Sequence, residues 1–154
     1  MGTYDNLSAC SVRRASRKDL NEIQGIELKS FNYPYSKLMF LTLLVMFPEL
    51  FLVVVCDNKV VGYVTGAITK EGYCHLFSIA VDPSYRGKGL GGKLLRAFEE
   101  VCLSKKVKKV ILEVSVINEV ALNLYKKHGY RVVKTIPNYY PDSDAYLMEK
   151  DLNS

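Results

Sequence analysis

The hydrophobic pattern changes period several times along the chain, and each change marks an element. Ser11 to Ala15 reads as a short strand. Ser16, followed three residues later by Asp19, has the form of a capping box and opens a helix predicted to run to about Ser30. Phe31-Asn32-Tyr33-Pro34-Tyr35 is an aromatic loop. Ser36 to Phe47 is predicted as a second helix, apolar nearly all round and ended by Pro48. The period then drops. Phe51 to Cys56 is β-branched and apolar, and Val60 to Thr69 and Tyr73 to Val81 follow after the turns Asp57-Asn58-Lys59 and Lys70-Glu71-Gly72. That is an antiparallel meander of three strands. Pro83 closes it, a glycine cluster follows, and Leu90, Leu94, Leu95, Phe98, Val101 and Cys102 keep helical spacing to about Ser104. Lys108 to Val116 reads as a buried strand. Asn118 is a candidate N-cap for a helix through His128, with Gly129 as its stop. Tyr130 to Ile136 and Ala145 to Asp151 are the last two strands.

A strand, two helices, three strands, a helix, a strand, a helix and two strands define an α/β class. The pattern predicts a single domain over residues 1–154, with residues 1–8 polar and loose. Its sheet is expected to be mixed, mostly antiparallel and seven-stranded, with about four helices and one central parallel strand-helix-strand crossover from 73 to 116. The composition is that of a globular chain: 154 residues, 49% hydrophobic and 24% charged. A net charge of +5 suits an anionic ligand without signalling nucleic acid, so no specific DNA partner is expected. The greasiest stretch, Leu38 to Cys56, is cut by Pro48-Glu49, and neither piece reaches the roughly 18 apolar residues of a membrane span. It reads as a buried helix followed by a buried strand, and no membrane association is expected. The N-terminus lacks the basic start and apolar stretch of a signal peptide, and Gly2 is followed by Asn6 where myristoylation wants Ser or Thr. Cys10, Cys56, Cys74 and Cys102 are far apart, form no Cys-x-x-Cys pair and have only two histidines for company, so no metal site is expected. Three of them sit in apolar surroundings that suit free thiols, which points to the cytoplasm.

The informative chemistry is at Val81-Asp82-Pro83-Ser84-Tyr85-Arg86-Gly87-Lys88-Gly89-Leu90-Gly91-Gly92, between a strand and a helix. Four glycines in six residues disfavour a helix start. Close approach of a polyanion to bare backbone N–H groups would compensate, helped by the helix dipole and by Arg86 and Lys88. Gly87-x-Gly89-x-x-Gly92 with Glu113 also matches a dinucleotide fingerprint, but the glycines start five residues beyond the strand and the unit opens mid-chain. No Gly-Lys-Ser/Thr closes a Walker loop.

Arg86-x-x-Gly89-x-Gly91 after a strand ending in Val-Asp-Pro resembles the acetyl-CoA pyrophosphate loop of the GNAT superfamily of N-acetyltransferases. Leu112-Glu113-Val114, Asn118 with Ala121, and Leu124-Tyr125-x-x-x-Gly129-Tyr130 follow at that family's order and spacing, so the resemblance covers about residues 11 to 152. Within it the chain looks closest to the protein N-terminal acetyltransferases, both the RimI-like ribosomal-protein alanine acetyltransferases and the catalytic subunit of the major co-translational enzyme. That rests on Phe31-x-x-Pro34-Tyr35, on His75-Leu76-Phe77-Ser78-Ile79-Ala80-Val81, and on Asn138-Tyr139-Tyr140-Pro141 with Asp144-Ala145-Tyr146-x-Met148.

The resemblance implies a GNAT fold and acetyl-CoA as cofactor. The cofactor would be held by Ile79, Ala80, Val81, Arg86, Gly87, Lys88, Gly89, Leu90, Gly91, Gly92, Asn118 and Tyr125. Backbone amides near Ile79 and Val81 would take the pantetheine like an added strand, that of Val81 polarising the carbonyl. Phe31, Pro34, Tyr35, Tyr139 and Tyr140 would line a channel for a protein or peptide N-terminus. Glu113, in mid-strand, is the candidate general base, His75 would bind or activate the amine, and Tyr125 would protonate the leaving thiolate. The expected reaction is acetyl transfer to an N-terminal α-amine by direct attack in a ternary complex. Alternatives are a relative that acetylates lysine or a small-molecule amine, and a non-catalytic acyl-CoA-binding module. The Lys105–Lys109 run reads as a solvated helix end, with a ribosome contact as the other reading.

Overall fold

The computed structural model describes residues 9–152. The expected loose segment 1–8 and the Gly2 pattern lie outside the described residues. Seven strands form one sheet in the order β1-β2-β3-β4-β5-β7-β6. They are β1 (Cys10–Arg14), β2 (Leu52–Cys56), β3 (Lys59–Ile68), β4 (Cys74–Val81), β5 (Lys109–Ser115), β6 (Arg131–Tyr140) and β7 (Ser143–Asp151). The helices are α1 (Leu20–Ser30), α2 (Lys37–Met46), α3 (Leu90–Ser104) and α4 (Glu119–Lys127). Neighbouring strands are antiparallel except β4 and β5, which are joined through α3 and pair in parallel as the crossover requires. This is the expected mixed seven-stranded α/β sheet.

Strand alternation sorts the core into two layers. Leu52, Val54 and Val64 pack on one face with Leu94, Leu95 and Phe98 of α3 and Leu122 of α4. Phe51, Val53 and Tyr63 pack on the other with Ile23 and Ile26 of α1 and Phe40 and Leu43 of α2. Cover on both faces is why β2 reads as an unbroken apolar run. The chain enters α1 through a turn at Arg17–Asp19, where the Ser16 amide donates to Asp19 Oδ2 at 2.8 Å and Arg13 bridges the same carboxylate with two donors at 2.8 and 3.0 Å.

Three expectations need correction. Cys10 and Cys56 are not free thiols: they face each other across β1 and β2 and form a disulfide, because the antiparallel register brings their Cα atoms to 4.1 Å. Cys74 and Cys102 remain free and buried. The helix read as buried is buried on one side only: Phe40, Leu43 and Leu44 pack inward, while Leu38, Val45 and Met46 are exposed. Nothing in an all-apolar pattern marks which face lacks a neighbour. The strand expected to end at Ile136 runs on to Tyr140. Its register jumps from Ile136↔Ala145 to Tyr140↔Ser143, which accommodates Pro137 on an edge strand.

Candidate active site

The site begins where two strands part. β4 and β5 pair only at Cys74↔Val110 and His75↔Ile111, then diverge. A bulge in β4 drives this: Ser78 pairs with Thr65 and Leu76 with Gly66, so Phe77 has no opposite number on β3. Gly66 is required there, since a Cβ would stand 2.3 Å from the His75 carbonyl oxygen. Beyond the bulge, the Asp82 amide donates to Val61 O at 2.7 Å. Antiparallel alternation therefore directs the Ala80 amide to β3 and turns those of Ile79 and Val81 into the wedge.

On one side of the wedge lies a cavity of about 490 Å³. Its wall contains Ile79, Ala80, Val81, Arg86, Gly87, Gly89, Leu90, Gly91, Gly92 and Asn118, so it gathers most of the residues expected to hold a cofactor. Gly87 and Gly89 have φ of 79° and 78°, and Gly89 is the N-cap of α3, so these glycines let the loop reverse and present the first amides of the helix. The other two glycines have different reasons. A Cβ at Gly91 would make ordinary contact with Leu124, whereas one at Gly92 would meet His128 Nε2 at 2.7 Å. His128 lies over Gly92 because its Nδ1 donates to Leu124 O at 2.9 Å and its Nε2 faces Arg96 Nη1 at 3.3 Å. Arg86 donates through Nε to Val81 O at 3.0 Å and through Nη2 to Ser30 Oγ at 3.2 Å, fixing the loop to the end of β4 and to α1. Lys88 stands outside the wall, its ammonium over the Tyr85 ring at 5.4 Å. Asn118 caps α4 by accepting from the Ala121 amide at 3.2 Å.

On the other side lies a cavity of about 600 Å³ walled by Phe31, Tyr35, Tyr139, Tyr140, Glu113 and Tyr125, among others. Pro34 shares the loop of Tyr35 without reaching that wall. Tyr125, expected at the cofactor, lies here, buried, its phenol pushed above the ordinary tyrosine range first by desolvation and then by Tyr140. Glu113 Oε1 meets His75 Nε2 at 2.7 Å, with the His75 ring against Phe77 at 4.5 Å, so the two expected proton-transfer residues form one unit. Phe31, Ile79, Asn118 and Ala121 belong to both walls, so the two cavities meet at the split.

Sequence reasoning missed Glu27. It sits on α1, is buried, lines the second cavity and accepts from three donors: Ser78 Oγ at 2.7 Å, the Tyr63 hydroxyl and the Tyr35 amide at 2.9 Å. Gln24 Nε2 donates to Tyr35 O at 2.9 Å, so α1 holds both the backbone N–H and the carbonyl of Tyr35. Arg96, Lys127 and His128 of the first cavity were also missed. The only signal for any of them was a polar residue within an apolar helical period.

The fit of acetyl-CoA is testable on these residues. A first cavity with cationic side chains, glycine-shaped amides at a helix N-terminus and an open strand edge suits a diphosphate on a flexible amide-bearing arm. Fold and site thus define an acyl-CoA-dependent transferase. The chain belongs to the acetyltransferase (GNAT) family, whose model matches residues 20–130. It is 37% identical over 161 residues to an N-alpha-acetyltransferase of Sulfurisphaera tokodaii, covering 92% of each chain. It is 34% identical over 146 residues to a putative ribosomal protein bS18 alanine N-acetyltransferase of Bacillus subtilis, covering 93% of this chain and 96% of the relative. Ard1 from Thermoplasma volcanium has a similar structure, with a TM-score of 0.91 at 32% identity, over 95% of this chain and 99% of that one.

Proposed function

We propose that this chain transfers the acetyl group of acetyl-CoA to the N-terminal α-amino group of proteins or peptides, by direct attack in a ternary complex. The observation that carries the reading is the pair of cavities on opposite sides of the β4–β5 wedge, sharing Ile79 and Asn118 at their junction. One side has the groups for a diphosphate; the other has the Glu113 carboxylate, backed from outside the wall by His75, and a set of aromatic rings. The relatives' descriptions support N-terminal α-amines as acceptors, and that of the Bacillus relative brings ribosomal proteins among them.

Acetyl-CoA, when bound, supplies the acetyl group as a thioester. The loop amides with Arg86 would hold its diphosphate end. The Ile79 and Val81 amides would hold the arm, and the Val81 N–H would polarise the thioester carbonyl. Glu113 with His75 takes the proton from the incoming ammonium. An α-amino group titrates near about 7.7–8.0, against about 10.4 for lysine, so a carboxylate–imidazole pair suffices for it at neutral pH. Tyr125 keeps its proton throughout the neutral range because it is desolvated, and can give it to the departing thiolate. Phe31, Tyr35, Tyr139 and Tyr140 surround the acceptor's first residue, while Pro34 sets the loop's path.

The reading places the enzyme in the cytoplasm, where acetyl-CoA and new N-termini meet. The Cys10–Cys56 disulfide must then persist there, as disulfides do inside hyperthermophiles. The test is mass spectrometry of a mixed peptide library incubated with acetyl-CoA. Peptides with free N-termini should gain one acetyl group at the α-amine and blocked ones none. Acetylation confined to lysine side chains of blocked peptides would overturn the reading in favour of a lysine acetyltransferase.

A further inference from the structure

The two cavities differ in charge as well as in position. The cofactor cavity has Arg86, Arg96 and Lys127 in its wall and, among the described residues, no carboxylate. The acceptor cavity has Glu27, Glu113 and Asp142 and, among the described residues, no lysine or arginine. In a chain of net charge +5 this separation is against the average. The three acids lie at three depths. Glu27 is 2% exposed, Glu113 is half-buried, and Asp142 is exposed in the turn between β6 and β7.

Two of them lack a cationic partner. Glu27 accepts only from neutral donors, the hydroxyls of Tyr63 and Ser78 and the Tyr35 amide. Asp142 has the Asn32 carboxamide at 3.5 Å. Glu113 alone has a titratable partner, in His75. The phenols of Tyr35, Tyr139 and Tyr140 line the same wall. Each is raised above the ordinary range, first by burial and then by neighbours that include Glu113 in all three cases, that of Tyr140 up to about 12. A negative field inside a low-dielectric aromatic wall acts on whatever follows the α-ammonium into the channel.

We propose that the acceptor cavity selects N-termini by charge, taking peptides whose first few residues are neutral or cationic and rejecting those with an acidic side chain beside the amine. The proposal rests on the acetyltransferase reading above and names its substrate class. Rejection comes from placing a second carboxylate among Glu27, Glu113 and Asp142 with no cation in the wall to offset it. Acceptance of a cationic side chain comes from Asp142 at the rim, where steering acts on association.

The test uses the intact protein and three free-amine peptides identical except for Lys, Asn or Asp at the second residue. At low ionic strength kcat/KM should fall in that order, by roughly tenfold from Lys to Asp, and the spread should shrink at about 1 M salt, where the Debye length is about 3 Å. Asp142→Asn, a change on an exposed turn, should narrow the Lys-to-Asp ratio. Equal rates for the Lys and Asp peptides at low salt, a reversed order, or a ratio not narrowed by Asp142→Asn would overturn the charge selection while leaving acetyl transfer in place. If no free-amine peptide is acetylated although calorimetry shows acetyl-CoA bound, the transfer reading fails and the proposal with it.

Discussion

Glu113 and His75 are 38 positions apart and meet at 2.7 Å because β4 and β5 are still paired one step before they diverge. Their partnership makes a specific prediction. Glu113→Gln should lower kcat by about a hundredfold or more, and adding His75→Ala should cost much less than its own single effect, since both act on one proton. Acetyl-CoA binding by calorimetry should be unchanged in both. Tyr125→Phe should lower kcat with little change in peptide KM, because the role proposed for the buried phenol is to give a proton rather than to bind. Asp19 offers a pH test away from the site. Arg13's hydrogen bonds hold its carboxyl below the usual range against the opposing effect of burial, with the Ser16 amide assisting. Its folded pKa is therefore below the unfolded value of about 3.9. The stabilisation is fully present above that value and is lost as pH falls through the folded one. Asp19→Asn should cost about 1–2 kcal/mol at neutral pH by urea unfolding, with the two proteins converging in acid.

At the scale of elements, the loop before α3 and the β1–β2 pair carry predictions. Gly89→Ala forces a φ of 78° on a residue with a Cβ, although a Cβ there would meet nothing. The strain of about 1 kcal/mol should relax the loop and weaken acetyl-CoA binding severalfold by calorimetry, without touching Glu113 chemistry. The Cys10–Cys56 bridge closes a 46-residue separation, so Cys56→Ser should lower stability by about 4 kcal/mol on the chain-entropy account, read as a drop in Tm that reductant reproduces in the parent protein. The elements were legible to differing degrees. α3 and α4 were plain, because Leu90, Leu94, Phe98 and the Asn118 cap write their period and their start directly. β6 runs past the end its pattern predicts, because Pro137 looks like a stop unless its strand is known to lie at the edge. The second helix looked buried because an apolar run does not say how many neighbours it has. The disulfide was illegible, because register across two strands, not spacing in sequence, places Cys10 beside Cys56.

Charge is arranged at the scale of the molecule. Cations gather along α3 and α4 on the cofactor side, and carboxylates gather between α1, β5 and the β6–β7 turn on the acceptor side. Binding of a polyanion on the first side should therefore weaken steeply as salt rises, while the KM of a neutral free-amine peptide changes little. Titration calorimetry and initial rates across a salt series check the two arms separately. The sequence by itself determined the order of elements, the parallel crossover and the glycine loop, since periodicity, turn residues and local motifs are properties of neighbours along the chain. Only the tertiary structure decided that β4 and β5 split after His75, that Tyr125 faces the acceptor side, that Glu27 holds the Tyr35 loop, and that two cavities of opposite charge share one wall. Each of those depends on residues tens of positions apart being brought within hydrogen-bond reach by strand register and helix packing, and no local pattern encodes such a distance.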